Sequence, residues 1–321
     1  MSALQPKQTY ADKDGHFRRT DSSFRSTISP DPSSPFPAEP NRYVLYIHRG
    51  CPWAHRANIV RSLKGLEDII QLVTFDHSEK EGSKVLWCFK GDQREPLYGF
   101  KYLKDVYQKA EPGYEGRYTV PMLWDTKTEK VVNNESSEII RIFYTAFDTY
   151  LPTSLRETSK PLYPAHLRAD IDEMNGWVYQ LINNGVYKAG FATTQAAYDA
   201  NVYPLFEALD RVERHLADAP YGGPFLFGEN ITEADIRLFP TIVRFDVAYF
   251  TLFRCNLRMV RGGYPRIERW LRELYWDDGE RTNGGAFRNT TNFDAIKLGY
   301  ANSQNLVVPA GPVPNVRPLD D

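Results

Sequence analysis

A single cysteine lies where a strand pattern gives way to a helix pattern. The stretch RGCPWAHR places Cys51 after an apolar run and directly before Pro52. A thiol attacks as its thiolate, and the N–H groups and dipole of a helix N-terminus stabilise that anion, so we predict that Cys51 is a nucleophile. The third residue after it is Ala54, so an outside thiol must resolve any mixed disulfide. Cys88 and Cys255 lack this context and are interpreted as small buried hydrophobes.

Two further stretches carry groups that suit glutathione, the abundant intracellular thiol. In TVPM, the proline opens a predicted strand and is a candidate for a cis peptide bond, which would leave the backbone of Val120 free to pair with an extended ligand. In NNES, Glu135 and Ser136 lie at a predicted helix start, where N–H groups and a hydroxyl bind a carboxylate and the Glu accepts from an ammonium. Each stretch alone is ordinary, because Glu-Ser at a helix start is by default only a cap. Their order after Cys51 predicts a glutathione site.

The elements that would position these residues follow a thioredoxin-like order over residues 40–150. Strand patterns occur in YVLYIH, IIQLVTF, TVPMLWD and EKVVN. A helix is predicted from Pro52 to the stop at Gly65, and another over NNESSEIIRIF, with Asn134 as its cap and Glu138 in a loose capping pattern. The order is therefore β-α-β followed by β-β-α.

Residues 160–321 predict an all-helical domain with an extended tail. The first apolar stripe is at Leu167, Ile171, Met174, Val178 and Leu181, and the second is at Tyr198, Val202, Leu205, Leu209, Val212 and Leu216. Thr232 and Asp235 match the cap of a third helix. The proline-rich chain after about residue 290 is expected to be extended, and residues 1–39 form a polar arm or linker. The predicted fold class is α/β followed by all-α.

Composition restricts the possible functions. A net charge of −2 over 321 residues argues against a nucleic-acid surface. Three cysteines fit a reducing compartment, which predicts a cytoplasmic protein. The chain has no apolar run long enough to cross a membrane, and MSALQPKQTYADKDG lacks the apolar core of a signal peptide. The six His and three Cys show no metal-ligand spacing, so no metal is expected.

Several long stretches, in order, resemble one known family. CPWAHR, LKGLED, GRYTVPMLWD and NNESSEIIR, followed by NNGVYKAGFA and TEADIRLFPTIVRFD, are similar to the glutathionyl-hydroquinone reductases, the xi class of the glutathione transferase superfamily. FRRTDSSFR and PFPAEPNRY resemble the N-terminal extension of that class. The resemblance runs from about Phe17 to the final helix and implies a glutathione transferase fold, usually a homodimer. It also implies reduction of glutathionyl-hydroquinones to hydroquinones with release of oxidised glutathione.

The resemblance also implies roles for individual residues. Cys51 would be the nucleophile, and the glutathione-binding residues would be Trp87, Arg117, Val120, Glu135 and Ser136. Tyr187 would give a proton to the leaving hydroquinone, and Tyr249 and Tyr300 would donate hydrogen bonds to the thiolate and lower its pKa. Each tyrosine could equally be a packing residue.

One position departs from the family pattern. Members usually carry His-Tyr-Tyr where this chain has Gly299, Tyr300 and Ala301, so a ring and an imidazole are lost at the pocket rim. Two alternative functions stay open: an omega-like thioltransferase or dehydroascorbate reductase, and a non-catalytic glutathione-binding module. Replacing Tyr187 with Phe separates the two enzymes, because only hydroquinone release should suffer.

Overall fold

A mixed four-stranded sheet forms the first half of the protein, and helices form the second. The computed structural model describes residues 10–81, 84–313 and 316–319. The strands are β1 (Tyr43–His48), β2 (Gln71–Phe75), β3 (His77–Glu81), β4 (Lys84–Cys88), β5 (Met122–Asp125) and β6 (Lys130–Asn133). The sheet order is β2-β1-β5-β6, in which only the β1–β2 pair is parallel, and β3 and β4 form a separate hairpin.

Helices cover the rest of the regular structure. They are α1 (Pro52–Leu63), α2 (Leu103–Ala110), α3 (Ser136–Thr145), α4 (Arg168–Val178), α5 (Gly185–Gly190), α6 (Gln195–Asp218), α7 (Glu233–Arg244), α8 (Phe250–Leu252), α9 (Pro265–Trp276), α10 (Ala286–Asn289) and α11 (Phe293–Gln304). Two π-helical turns, Tyr179–Asn183 and Phe245–Tyr249, continue α4 and α7. None of the helices among the described residues is long and apolar enough to span a bilayer.

The strand–cysteine–helix unit is confirmed. Every residue of β1 is buried, as the apolar run predicts. Cys51 is the extended N-cap residue of α1, and Pro52 occupies the first helical position, where no N–H is needed. The helix ends at Leu63, and Gly65 follows with a φ of +62°. The cysteine is thereby fixed between the centre of the sheet and a helix N-terminus.

The second predicted unit is confirmed with one correction. The Val120–Pro121 peptide is cis, and β5 and β6 pair as an antiparallel hairpin. The predicted N-cap of α3 was wrong: Glu135 is the cap, and its carboxylate accepts from the Ser137 N–H at 3.1 Å. Asn134 is instead held by the N-terminal arm, because its Oδ1 accepts from the Phe24 N–H at 3.1 Å. Glu138 pairs with a side chain of the arm rather than with the cap.

The β3–β4 hairpin and α2 were not predicted as elements. They lie in the stretch between Phe75 and Val120, where charged residues interrupt the apolar pattern in HSEKE and KVLWC. The hairpin is short, and its register pairs Ser78 with Trp87. The hairpin is not part of the central sheet, but it places Trp87 beside His48 at the end of β1.

Two predictions for the helical half were wrong in part. Leu181 is 37% exposed, because the π-helical turn after α4 breaks the 3.6-residue periodicity that put it on the buried stripe. The chain after residue 290 is not extended throughout, since α11 forms with Asn292 as its N-cap and ends at Gln304, followed by Asn305 in the left-handed conformation. Beyond Asn305 the described residues form no helix or strand. Residues 314–315 and 320–321 of the predicted tail lie outside the described residues.

The N-terminal arm is docked on the first domain rather than loose. The Ser26 N–H donates to the Val132 carbonyl at 3.0 Å, and Arg25 bridges to Asn133 on β6. Arg25 also forms an ion pair with Glu138. Residues 1–9, on which the signal-peptide argument partly depended, lie outside the described residues.

Candidate active site

Cys51 lies in the wall of a cavity, partly exposed. Its Sγ donates to the Val120 carbonyl oxygen at 3.5 Å, which joins the start of α1 to the cis peptide. Burial raises the pKa of the Cys51 thiol, although the N–H groups of Ala54 and Trp53 and the charges of Arg244 and Arg19 act in the opposite direction. The helix start therefore stabilises the thiolate, as predicted. Burial outweighs this effect, so the net shift of the Cys51 pKa is upward.

Two connected spaces lie around the start of α1, and Cys51 lines the second of them. The first, which we call the polar recess, has a volume of about 190 Å³ and is lined by Ser22, Arg117, Val120, Glu135 and Ser136, among others. The second, which we call the cysteine cavity, has a volume of about 620 Å³, and its lining includes Cys51, Trp87, Tyr187 and Tyr300. Arg19, Trp53, Arg117 and Val120 line both. The structure thus brings together every predicted site residue except Tyr249, which is fully buried beside Tyr300.

Glu135 and Ser136 give the polar recess an anionic and a hydroxyl group. Burial alone would raise the pKa of Glu135, but hydrogen bonds from Ser137 and Ser22 and the charge of Arg56 outweigh it and lower the pKa below its usual value. The carboxylate is therefore ionised at neutral pH. It can accept hydrogen bonds from an ammonium group, while the start of α3 donates to a carboxylate.

Two arginines make the junction of the two spaces cationic. Burial and the neighbouring charge of Arg19 lower the pKa of Arg117. The Arg19 guanidinium lies over the Trp53 ring at 4.6 Å and over the Tyr187 ring at 5.2 Å, and its Nε donates to Asn184 Oδ1 at 3.3 Å. Arg19 was not predicted as a site residue, because the polar arm carries no periodic signal that would place it in a cavity.

The three tyrosines form one chain of hydroxyl groups. The hydroxyl oxygens of Tyr187 and Tyr300 lie 2.7 Å apart, and those of Tyr249 and Tyr300 are also 2.7 Å apart. Burial raises the pKa of Tyr187 and raises those of Tyr249 and Tyr300 well above the usual value, so all three stay protonated donors. Tyr249 and Tyr300 were predicted to donate hydrogen bonds to the Cys51 thiol. Among the described residues no such bond is found, and the two hydroxyls instead bond to each other.

Trp87 lines the cysteine cavity from the side of the β3–β4 hairpin. Its ring lies 4.5 Å from the ring of His48, the last residue of β1. His48 Nδ1 accepts from the Gly50 N–H at 3.0 Å, and burial lowers the pKa of His48 to about 4. The imidazole is therefore neutral at physiological pH and acts as a fixed part of the cavity wall.

Within residues 10–81, 84–313 and 316–319, one group of possible metal ligands occurs, on the β3–β4 hairpin. Ligand atoms of His77, Glu79 and Cys88 lie within 4.8 Å of one another. The Glu79 carboxylate already accepts from Tyr102 at 2.8 Å and from Lys101 at 3.1 Å. These contacts give the carboxylate a role in the hairpin without a metal.

Comparison with known families matches both halves of the chain. The model described as the glutathione S-transferase N-terminal domain matches residues 50–146, and the model described as the C-terminal domain matches residues 195–273.

Similar proteins span nearly the whole length. The chain is 44% identical to glutathione S-transferase omega-like 2 of Schizosaccharomyces pombe, over 96% of this chain and 96% of that protein. It is 42% identical to the glutathionyl-hydroquinone reductase PcpF of Sphingobium chlorophenolicum, over 94% and 89%. It is 41% identical to the glutathionyl-hydroquinone reductase YqjG of Escherichia coli, over 92% and 88%.

Solved structures agree with the fold. The xi glutathione S-transferase of Phanerochaete chrysosporium superposes with a TM-score of 0.86 at 48% identity, covering 97% of each chain. The xi glutathione transferase ECM4 of Saccharomyces cerevisiae in complex with glutathione superposes with a TM-score of 0.84 at 40% identity, covering 95% of this chain and 99% of that one.

Proposed function

The chain belongs to the glutathione S-transferase family, and from that premise we propose that it is a glutathionyl-hydroquinone reductase with Cys51 as its nucleophile. Glutathione is its co-substrate. One observation carries the proposal: a thiol at the start of α1 opens into a cavity that is continuous with an anionic recess at the start of a second helix. This arrangement suits a peptide thiol whose sulfur must reach Cys51.

The glutathionyl part of the substrate occupies the polar recess in this proposal. Its ammonium group pairs with Glu135, and its γ-glutamyl carboxylate lies against Ser136 and the N–H groups of α3. Its peptide backbone pairs with Val120, whose backbone orientation is set by the cis peptide. Arg117 and Trp87 border the remaining part of the ligand.

The reaction follows in two half-reactions. The Cys51 thiolate attacks the sulfur of the conjugate, so that an S–S bond forms and the bond between sulfur and the ring carbon breaks. The electron pair of the broken bond stays on the ring, which takes a proton from the Tyr187 hydroxyl and leaves as the hydroquinone. A second glutathione thiolate then attacks the mixed disulfide, releases oxidised glutathione and returns the Cys51 thiolate.

The test compares Cys51→Ser with the unchanged protein and with Cys88→Ser. A glutathionyl-hydroquinone and glutathione are supplied, and hydroquinone and oxidised glutathione are quantified. We expect Cys51→Ser to lower the rate at least a thousandfold while still binding glutathione, because a serine hydroxyl is a poor nucleophile at neutral pH. Equal rates from Cys51→Ser and Cys88→Ser would refute the mechanism.

The assembly and location of the enzyme are also proposals. We propose a homodimer, as is usual in the family that the sequence resembles, and sedimentation equilibrium tests it. We propose a cytoplasmic location, supported by the three unpaired cysteines. The domain bounds of residues 40–150 and 160–321 are likewise proposed.

A further inference from the structure

A third space adjoins the cysteine cavity and shares no lining residue with the polar recess. We call it the distal chamber. It has a volume of about 370 Å³ and lies between the β3–β4 hairpin and the C-terminal end of α11. Val85, Trp87, Gly299 and Ser303 line both the distal chamber and the cysteine cavity. These four residues therefore form the boundary between the two spaces.

Gly299 has no local structural reason to be glycine. It lies inside α11, where glycine is a poor helix former, and it is not among the glycines with positive φ. A β carbon built at Gly299 would meet only His48 Cε1, at the ordinary contact distance of 3.8 Å. A larger residue is therefore compatible with the backbone. What glycine supplies here is open space between Trp87 and the helix.

The distal chamber has an apolar wall that carries several hydrogen-bonding side chains. Ser78, Asn302 and Asn305 line it together with Leu306 and the four boundary residues. The Ser303 hydroxyl donates to the Tyr300 carbonyl at 2.8 Å, which leaves its oxygen able to accept. A cavity of about 150 Å³ can already hold a benzene ring, so the chamber has room for more than one small group.

We propose that the distal chamber binds a polar substituent carried on the hydroquinone ring, and that Gly299 is the opening through which that substituent enters. The reacting ring then stays beside Cys51 and Tyr187, while its arm passes between Trp87 and α11. The inference rests on the proposed function and makes it specific, because it assigns the enzyme to conjugates of hydroquinones with extended, hydrogen-bonding side arms.

The test uses three conjugates of glutathione: one with an unsubstituted hydroquinone, one with a hydroxybutyl arm on the ring, and one with a pentyl arm of equal length. Gly299→Leu should lower the ratio of kcat/KM for the hydroxybutyl conjugate to that for the unsubstituted one at least tenfold. Gly299→Ala should lower it less and raise the thermal midpoint, because alanine favours the helix. Asn302→Leu should lower the ratio of kcat/KM for the hydroxybutyl conjugate to kcat/KM for the pentyl conjugate at least threefold.

Leu298→Phe is the matched control, because Leu298 is an exposed residue of the same helix and lines none of the three spaces. It should leave both ratios within twofold of the unchanged protein. An unaltered ratio in Gly299→Leu, or an equal fall for all conjugates, would overturn the inference. If the unchanged protein fails to reduce even the unsubstituted conjugate, the proposed function is lost. Calorimetric affinities of the same conjugates for Cys51→Ser, with and without Gly299→Leu, then decide the inference separately.

Discussion

At the scale of single residues, Cys51 experiences two opposing influences. Burial raises its pKa, while N–H groups at the start of α1 and the charges of Arg244 and Arg19 lower it. The net direction is upward, so the thiol is mostly protonated at neutral pH. The helix start and the arginines reduce the rise in pKa that burial imposes.

This balance predicts how Cys51 reacts with iodoacetamide. The alkylation rate follows the thiolate fraction, so it should rise with pH and continue to rise above about pH 8.5, the ordinary thiol value. Arg19→Met removes a charge that favours the thiolate and should move the midpoint of this curve to still higher pH. Mass spectrometry of the labelled protein over pH 6–11 measures both curves.

Cys51→Ser is the control for that experiment. It should take up no label, because the other cysteines, Cys88 and Cys255, are fully buried. A midpoint below about pH 8.5 in the unchanged protein would contradict the prediction. It would show that the helix N-terminus and the arginines outweigh burial.

At the scale of elements, features that depend on adjacent residues were predicted correctly, whereas contacts between residues far apart in the sequence were not. The strand before Cys51, the helix after it and the cis peptide at Val120 each depend on a few adjacent residues, and all three were predicted correctly. The π-helical turn after α4 was missed, because one extra residue in a helical turn leaves no mark in the apolar pattern. The hydroxyl chain joins Tyr187 to Tyr300 across 113 positions, a contact that periodicity cannot reveal.

The N-terminal arm is the element that the sequence explained least. Its polar composition predicts an arm or a linker with no core of its own, yet it brings Arg19 and Ser22 into the site. The Ser22 hydroxyl donates to the Glu135 carboxylate at 3.0 Å. Phe24 fixes this part of the arm, since its ring lies 5.8 Å from that of Tyr107 and 5.3 Å from that of Tyr114. The arm is thus part of the proposed glutathione site as well as of the fold.

Phe24→Ala should therefore weaken both stability and substrate binding. Loss of a half-buried ring costs about 1–3 kcal/mol, somewhat less than for a core phenylalanine. Release of the arm should raise KM for glutathione at least fivefold.

Phe36→Ala is the matched control, because Phe36 is a half-buried ring of the same arm outside the site. It should lower the urea midpoint similarly and leave KM unchanged. An equal rise of KM in both variants would contradict a specific role for the Phe24 region.

At the scale of the whole molecule, a buried arginine ties the helical domain to the cysteine loop. Arg244, the last residue of α7, is fully buried. Its guanidinium donates to the carbonyl oxygens of Gly50 and Arg49 at 3.2 Å each and to that of Pro240 at 2.9 Å. It also lies 2.9 Å from Nδ1 of His55. The loop that precedes Cys51 is therefore held from the opposite domain.

The protonation of His55 follows from these contacts. Burial and the charge of Arg244 lower the pKa of His55 well below its usual value, so the ring is neutral. The Thr290 hydroxyl donates to the Ala286 carbonyl, which leaves its oxygen to accept from the Nε2–H of His55 at 3.0 Å. Nδ1 is then the acceptor for Arg244. One polar chain thus connects α7, α1 and the end of α10 behind the site.

Arg244→Met should break this connection with little change in volume. The carbonyl of Gly50 and the acceptor nitrogen of His55 would be left buried without the donor that Arg244 supplies, at a cost of about 3 kcal/mol in unfolding free energy. The urea midpoint measures that loss. The alkylation rate of Cys51 at fixed pH should also change, because the loop before it loses its support.

Arg258→Met, which removes an exposed ion pair with Asp210, should cost at most about 1 kcal/mol and leave the alkylation rate unaltered. If both variants lowered stability equally, or if Arg244→Met left the reactivity of Cys51 intact, the helical domain would have no part in positioning the nucleophile.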